Sequence, residues 1–273
     1  WDHEQLSREE RLVIRFSHVV GEETPKGMAA RKFAKLMGER TNGYVEVQVF
    51  PNSYLYKDGE EIDALLRGDL QMIAPATSKI SELVPEWSVL DLPFAFESEQ
   101  EVHAYLQSPI GEELFNKLTN VGMIALSVWD NGFKQLSNNR SPIIHPSDIQ
   151  GLRFRIMPSE IIEQQFRVLG AETEVLAFND LFMRLENNEV DAQENSISNI
   201  VSRELHTLQD YLTISNHAYL GYLVLVNRDF WNELPEEIKA VFQETLAEVT
   251  EWEMELSLAL NKRKMEELKE CNC

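Results

Sequence analysis

Apolar positions recur with two different periods along this chain, and their alternation predicts an α/β protein. A period of two, the mark of a half-buried strand, runs over residues 11–17, where Leu12, Ile14 and Phe16 share a face, and returns at Val45, Val47 and Val49. Residues 70–74 and 123–129 complete the first set of predicted strands. Between them the spacing lengthens to that of a helix. Thr24-Pro25 opens one that reaches about Arg40, with Met28, Phe33, Leu36 and Met37 along it, and shorter helices are expected at 58–67, about 98–108 and 111–119. Strand, helix, strand, helix, strand in this order is the start of a parallel sheet built by right-handed crossovers.

A second α/β unit is expected from about Asn131 to His217, with a turn at His145-Pro146-Ser147-Asp148 and a strand through Arg155. It continues with helices near 159–168, 179–187 and 195–206 and a short strand over 190–195. Tyr219 to Val226 reads as a long apolar strand that returns to the first unit. Pro235 starts a helix whose stripe is Ile238, Val241, Phe242, Thr245, Leu246, Val249 and Trp252, and the pattern persists to Leu268. Over roughly 30 residues that is about 45 Å of helix, too long for the face of one unit. The expected organisation is therefore residues 1–130 with about 218–250 as one domain, and 131–217 with about 251–273 as the other. No internal repeat or low-complexity linker interrupts it.

Composition narrows the functional classes. A chain of 273 residues can bury two cores, and 43% apolar with 26% charged residues is ordinary for a globular protein. No apolar run approaches the roughly 18 residues of a membrane span. The net charge of −21, from 25 basic and 46 acidic side chains, argues against nucleic acid or an anionic membrane as partner. It also means that any site for an anion must gather its cations locally. Cys271 and Cys273, at the very end, have no metal partners near them in sequence and read as a tail. None of H-E-x-x-H, G-x-S-x-G, the P-loop, G-x-G-x-x-G or C-x-x-C occurs, so no enzyme, cofactor or metal is indicated. With so many Asp and Glu, chance carboxylate pairs carry no weight.

The stretch richest in chemistry is Gly151 to Asn195. Leu152-Arg153-Phe154-Arg155-Ile156-Met157 alternates apolar and basic residues, and Pro158-Ser159 then begins a helix. A cation at the C-terminal end of a strand, next to a helix N-terminus, suits an anionic ligand. Arg153, on the same strand, is expected to face away. Asn195 closes the run Val190-Asp191-Ala192-Gln193-Glu194-Asn195, either as a ligand contact or as a cap for the following helix. Lys26 beside Pro25, His18 and Lys134 after strands, and Thr77 with Ser78 are further polar candidates. Trp129, Phe178 and Tyr219 are candidate walls, and Asn131, Met157 and Ser159 complete the expected lining.

Read together, FSHVVGEETPKG (16–27), VQVFPNSYLY (47–56), WSVLDLPFAF (87–96), WDNGFKQLSNNR (129–140), the Arg155–Asn195 segment and SNHAYLGYLV (215–224) resemble the solute-binding proteins of TRAP transporters, the tripartite ATP-independent periplasmic systems. The likeness runs from about Phe16 to the final helix and is greatest to the DctP-type, C4-dicarboxylate branch. It implies a two-domain, class II-like periplasmic-binding-protein fold with hinge strands and one long helix across both domains. It implies that Arg155 pairs with a substrate carboxylate, that Asn195 holds the same group, and that Lys134 stands where some relatives carry a second substrate-binding arginine. The implied ligand is a small organic acid such as succinate, malate or fumarate, the partner a TRAP membrane permease, the state a monomer. Trp1-Asp2-His3-Glu4 lacks a signal sequence, so the periplasmic location implied by the family goes with a removed leader. A uronate, a 2-oxo acid or an aromatic acid is the rival ligand; a ligand-sensing subunit and a hydrolase or lyase are the rival functions.

Overall fold

The computed structural model describes residues 11–270, so Cys271 and Cys273 lie outside the described residues. Numbered along the chain, the strands are β1 (Leu12–Ser17), β2 (Val45–Phe50), β3 (Met72–Ile73), β4 (Met123–Phe133), β5 (Gln135–Asn138), β6 (Arg153–Ile156), β7 (Glu172–Val175), β8 (Ala192–Asn195), β9 (Tyr211–Thr213) and β10 (Tyr219–Asn227). The helices are α1 (Pro25–Arg40), α2 (Glu61–Arg67), α3 (Thr77–Ile80), α4 (Glu99–Leu106), α5 (Pro109–Asn120), α6 (Glu160–Arg167), α7 (Leu181–Glu186), α8 (Ile197–Ser202), α9 (Arg228–Glu233) and α10 (Glu236–Glu270).

The strands form two five-stranded sheets, ordered β2-β1-β3-β10-β4 and β7-β6-β8-β5-β9, each the centre of a lobe. In the first, β1 pairs in parallel with β2 and β3, as the alternation of strands and helices requires, while β10 runs antiparallel to β3 and β4. In the second, β6 is parallel to β7 and β8, and β5 is antiparallel to β8 and β9. The chain passes from the first sheet to the second between Phe133 and Gln135, and returns between Thr213 and Tyr219. The two crossings lie side by side, the Lys134 N–H donating to the Ala218 carbonyl at 2.8 Å.

The third connection is α10, whose 35 residues span about 52 Å at 1.5 Å per residue. Its first half buries Phe242, Leu246 and Val249 against α1 and β4 of the first lobe. Trp129 Nε1 donates to Thr250 Oγ1 at 2.9 Å, and the Asp130 N–H donates to Glu253 at 2.9 Å. Beyond these, Asn261 accepts the Ser198 N–H of α8 at 3.0 Å, and Met265 and Leu268 pack on the second lobe's core around Leu181, Leu185 and Ile200. The helix therefore belongs to both lobes.

Local signals explain most element boundaries. Thr24 caps α1 by accepting the Gly27 N–H at 3.2 Å, and Pro25 loses nothing at a position whose N–H has no helical partner. Ser98, Ser108, Ser159 and Ser196 cap α4, α5, α6 and α8 in the same way. Differences from the sequence expectation are physical. The 70–74 strand shrinks to two residues because only Met72 and Ile73 find ladder partners on both sides. β4 runs four residues beyond Trp129 because β10 pairs with it to Phe133. The helix expected from Asp58 starts at Glu61, and the one expected over 195–206 is α8 followed by a single turn at Leu205–Thr207. A 3₁₀ helix over Pro85–Asp91, with Trp87 and Leu90 buried, was not predicted.

Candidate ligand-binding site

Arg155 points between the lobes. Arg153, two residues earlier and so on the same face of β6, does not turn away as expected but is kept from the cavity by its own partners: its guanidinium lies at the surface and binds Asp191 at 2.9 Å and the Asn188 carbonyl at 2.7 Å. Arg155 is 3% exposed; its Nε donates to the Leu176 carbonyl at 2.9 Å, and its guanidinium sits 5.8 Å from the Phe178 ring. Burial pulls its pKa down to about 10, with Glu194 acting against that, so it stays charged at neutral pH. Around it is a small cavity of about 30 Å³.

Four charged side chains line this cavity: Lys26 at the start of α1, Lys79 in α3, Arg155 at the end of β6, and Asp58 from the β2–α2 loop. Three cations against one anion is an unusual concentration in a chain of net charge −21. Lys26 Nζ donates to the Ala74 carbonyl at 2.8 Å and lies 3.7 Å above the Tyr222 ring. Burial lowers its pKa to about 7 despite Glu61 and Glu253, and burial raises that of Glu61 to about 7 despite Lys26. The pKa of Lys79 is also pushed well below the usual lysine range, by burial first and then by Lys26 and Arg155. Asp58 forms an ion pair with Lys79, lies 3.7 Å from Arg155 and accepts the Phe178 N–H at 2.9 Å, reaching from the first lobe to the second. The amide wall is Asn195, whose Oδ1 accepts from Asn199 Nδ2 at 2.9 Å and from the Ser196 N–H at 3.0 Å. Val19, Val20, Ala76, Met157, Phe178 and Leu220 supply the apolar remainder. Two larger hollows lack this character: one of about 530 Å³ carries no lysine or arginine, and one of about 510 Å³ sets Arg203 and Lys264 beside Glu23 and Glu204.

Of the residues singled out by sequence, Arg155, Asn195, Lys26, Met157 and Phe178 meet in this cavity. The others do not, each for a visible reason. Lys134 is fully buried against Glu194 at 2.5 Å. Tyr219 donates to Asp130 at 2.5 Å on the far face of β10, and Trp129 is held by Thr250 within the core. Ser78 and Ser159 both donate to Asp91, at 2.6 and 2.7 Å. Asn131 stands behind the wall, donating to Tyr222 Oη at 2.8 Å and Asn199 Oδ1 at 3.2 Å. Thr77 is buried at the start of α3 without lining the cavity. His18 is buried with neither ring nitrogen hydrogen-bonded; burial, then Lys26, push its pKa down to about 3, so it is neutral.

The residues sequence reasoning missed are Asp58, Lys79, Asn199 and Tyr222. Parity could have found Tyr222: Leu220, Tyr222, Val224 and Val226 pack on one side of the first sheet, Tyr219, Leu223 and Leu225 on the other. Lys79 lies one residue beyond the pair Thr77-Ser78 that the end of β3 had flagged. Asp58 sits in an irregular loop and carries no periodic signal.

Comparison with known proteins gives a single answer. The family described as bacterial extracellular solute-binding protein, family 7 (DctP), matches residues 16–273. The C4-dicarboxylate-binding protein DctB of Bacillus subtilis (strain 168) is 46% identical over 269 residues, 98% of this chain and 77% of that protein. A TRAP periplasmic solute-binding protein from Sulfurospirillum deleyianum DSM 6946, crystallised with bound succinate, superposes with a TM-score of 0.92 at 41% identity, covering 95% of this chain and 84% of that one. A TRAP periplasmic solute-binding protein from Pseudomonas aeruginosa PAO1 with bound L-malate gives a TM-score of 0.92 at 35% identity, over 96% and 91% of the two chains.

Proposed function

The chain belongs to family 7 of the bacterial extracellular solute-binding proteins, and on that premise we propose that its interlobe cavity captures a four-carbon dicarboxylate for a TRAP membrane permease. The observation that carries this is the convergence of Lys26, Lys79 and Arg155 on one small cavity between the lobes. Counted as formal charges, with Asp58 against them, these side chains sum to +2, the complement of a dianion such as succinate or malate, whose charge favours the ammonium form of the two lysines. Arg155 offers a planar fork that matches a carboxylate with two parallel N–H···O bonds. Its neighbour Asn195 presents an amide to the same group, while Lys26 and Lys79 stand on the opposite lobe to receive the second carboxylate. The relatives with succinate and L-malate bound, at 41% and 35% identity, favour this class over uronates or aromatic acids.

The size of the cavity bears on mechanism. About 30 Å³ accommodates only about two waters, so a four-carbon acid enters with the lobes apart and is then enclosed. The crossings at Phe133–Gln135 and Thr213–Tyr219, with α10 spanning both lobes, restrict this motion to a hinge. A ligand that touches Arg155 on one lobe and Lys26 on the other has differential affinity for the closed form, which is what shifts the population. The protein acts as a monomer outside the cytoplasmic membrane and catalyses nothing. The test is a thermal-shift series with succinate, L-malate, fumarate and butyrate. The dicarboxylates are expected to stabilise the protein, by about 2.7 kcal/mol at 100 times the dissociation constant. Butyrate, which leaves the distal lysines unpartnered, should bind at least about tenfold more weakly. Butyrate binding as well as succinate would overturn the dicarboxylate reading.

A further inference from the structure

Asp91 ends the 3₁₀ helix Pro85–Asp91, which is anchored in the first lobe by Trp87 and Leu90. Its carboxylate is 1% exposed and takes two hydroxyl hydrogen bonds from different lobes. Ser78 Oγ, in α3 of the first lobe, donates to Oδ1 at 2.6 Å. Ser159 Oγ, at the N-cap of α6 in the second lobe, donates to Oδ2 at 2.7 Å while accepting the Ile162 N–H at 3.3 Å. One carboxylate thus ties the start of α3 to the start of α6. Neither Asp91 nor either serine lines the charged cavity, so the bridge joins the lobes without touching what they enclose.

We propose that Asp91 is a positioning residue for ligand retention: with Ser78 and Ser159 it forms a clasp that exists only while the lobes are together, and so sets how long a captured solute stays. This rests on the solute-capture reading above. Any rotation about the hinge that parts the start of α6 from the end of the 3₁₀ helix breaks the Asp91–Ser159 bond, because its two partners ride on different lobes. A solute must wait for the lobes to part before it leaves, so the clasp acts on release. Capture proceeds from the parted form, where the bond is already broken, so its rate changes only through the fraction of unliganded molecules that the clasp holds closed. Hydrogen bonds to a buried charged acceptor are among the stronger ones, and losing one here corresponds to about a ten- to hundredfold faster release.

The experiment compares release of labelled succinate from the full chain and from S159D, S159A, S159T and D91N. S159D retains an acceptor that caps α6 but sets a second carboxylate against Asp91. Release from S159D, S159A and D91N should be at least about tenfold faster than from the wild type, with the association rate changed by less than about threefold. S159T, which keeps the hydroxyl, should restore release to within about threefold of the wild type. A purely structural role for Ser159 as a cap would lower the melting temperature of S159A and leave release from S159D and D91N at the wild-type rate; that result overturns the clasp. If the wild type bound no succinate, the capture reading would fall instead. Small-angle scattering of the unliganded wild type and S159D then decides the clasp separately: a larger radius of gyration for S159D supports it, and equal radii overturn it.

Discussion

Lys134 and Glu194 form an ion pair at 2.5 Å with side chains 0% and 2% exposed. His217 Nε2 lies 2.5 Å from the other carboxylate oxygen. Lys134 is the residue between β4 and β5, where the chain first changes sheets, and His217 precedes β10, where it changes back. The pair therefore pins the two crossings to β8 of the second lobe. Burial opposes the charge of Glu194, but Lys134 and His217 outweigh it and hold the carboxyl far below its usual range.

Lys134→Ala leaves that carboxylate buried and half-partnered, so it should cost about 3–5 kcal/mol in urea unfolding. Succinate should still raise the melting temperature of the variant, because Lys134 does not line the cavity. Loss of ligand stabilisation with unchanged unfolding free energy would return Lys134 to the ligand site. The sign of the pH effect follows from the depressed carboxyl. Its contribution to stability is complete above the ordinary glutamate range and is lost as pH falls below about 4.5. Glu194→Gln should flatten that acid limb of the stability curve.

A second prediction concerns protons. Lys26 and Glu61 are both placed near pH 7, chiefly by burial, and they titrate as a coupled unit. A dianion beside Lys26 favours the ammonium, so its pKa in the complex rises above that of the free site. Binding at pH 8 should take up protons, and affinity should weaken as pH rises from about 7 to 9, by at most about tenfold per pH unit. Loss of the Glu61 proton over the same range makes the site less positive and acts in the same direction. Calorimetry of succinate binding in two buffers of different ionisation enthalpy measures the uptake. No uptake at pH 8 would show that Lys26 is already fully charged before ligand arrives.

Parity and capping were legible in the sequence; contacts between irregular segments were not. Parity joins Arg153 and Arg155 on one face of β6 instead of separating them, and it is the pairing of Arg153 with Asp191 that keeps it out of the cavity; Thr24-Pro25 fixes the start of α1, hence the place of Lys26, to the residue. The long stripe after Pro235 announced a helix that outgrows one lobe. By contrast β7, Glu-Thr-Glu-Val at the sheet edge with no buried residue, lacks the apolar alternation that would have marked it. Tyr219 stands out in the sequence for its place next to the crossing, but the parity of β10 turns it away from the cavity and Tyr222 towards it. Asp58 and Lys79 come from a loop and a four-residue helix, and only the closeness of the two lobes brings them to Arg155. Lys134 passed for a ligand residue because its partner, Glu194, is 60 positions away.

Close approach at the α1 N-terminus gives a third prediction. A Cβ on Gly27 would lie 2.1 Å from the Gly21 carbonyl oxygen and 2.7 Å from the Glu22 Cα, both backbone atoms that cannot swing aside. Gly27→Ala should therefore push α1 off the loop that leads into it, lower stability by about 1–3 kcal/mol and displace Lys26 from Tyr222. Gly43→Ala is the comparison, since its Cβ would meet nothing within 4 Å and its φ of +80° leaves only backbone strain. Equal ligand affinity in the two variants would mean that Lys26 tolerates movement of its helix.

The most direct measurement is isothermal calorimetry of succinate binding to Arg155→Ala and Arg153→Ala beside the wild type. Arg155 is buried in the cavity between the lobes, whereas Arg153, two residues earlier, is engaged by Asp191 at the surface. Removing a buried charged partner of a carboxylate costs about 2–5 kcal/mol, so Arg155→Ala should weaken succinate by roughly 30-fold to several thousandfold. Arg153→Ala should bind within about threefold of the wild type, a difference below about 0.7 kcal/mol. Wild-type affinity in Arg155→Ala, with binding to the unsubstituted protein established in the same titration, would contradict the assignment of this cavity as the dicarboxylate site.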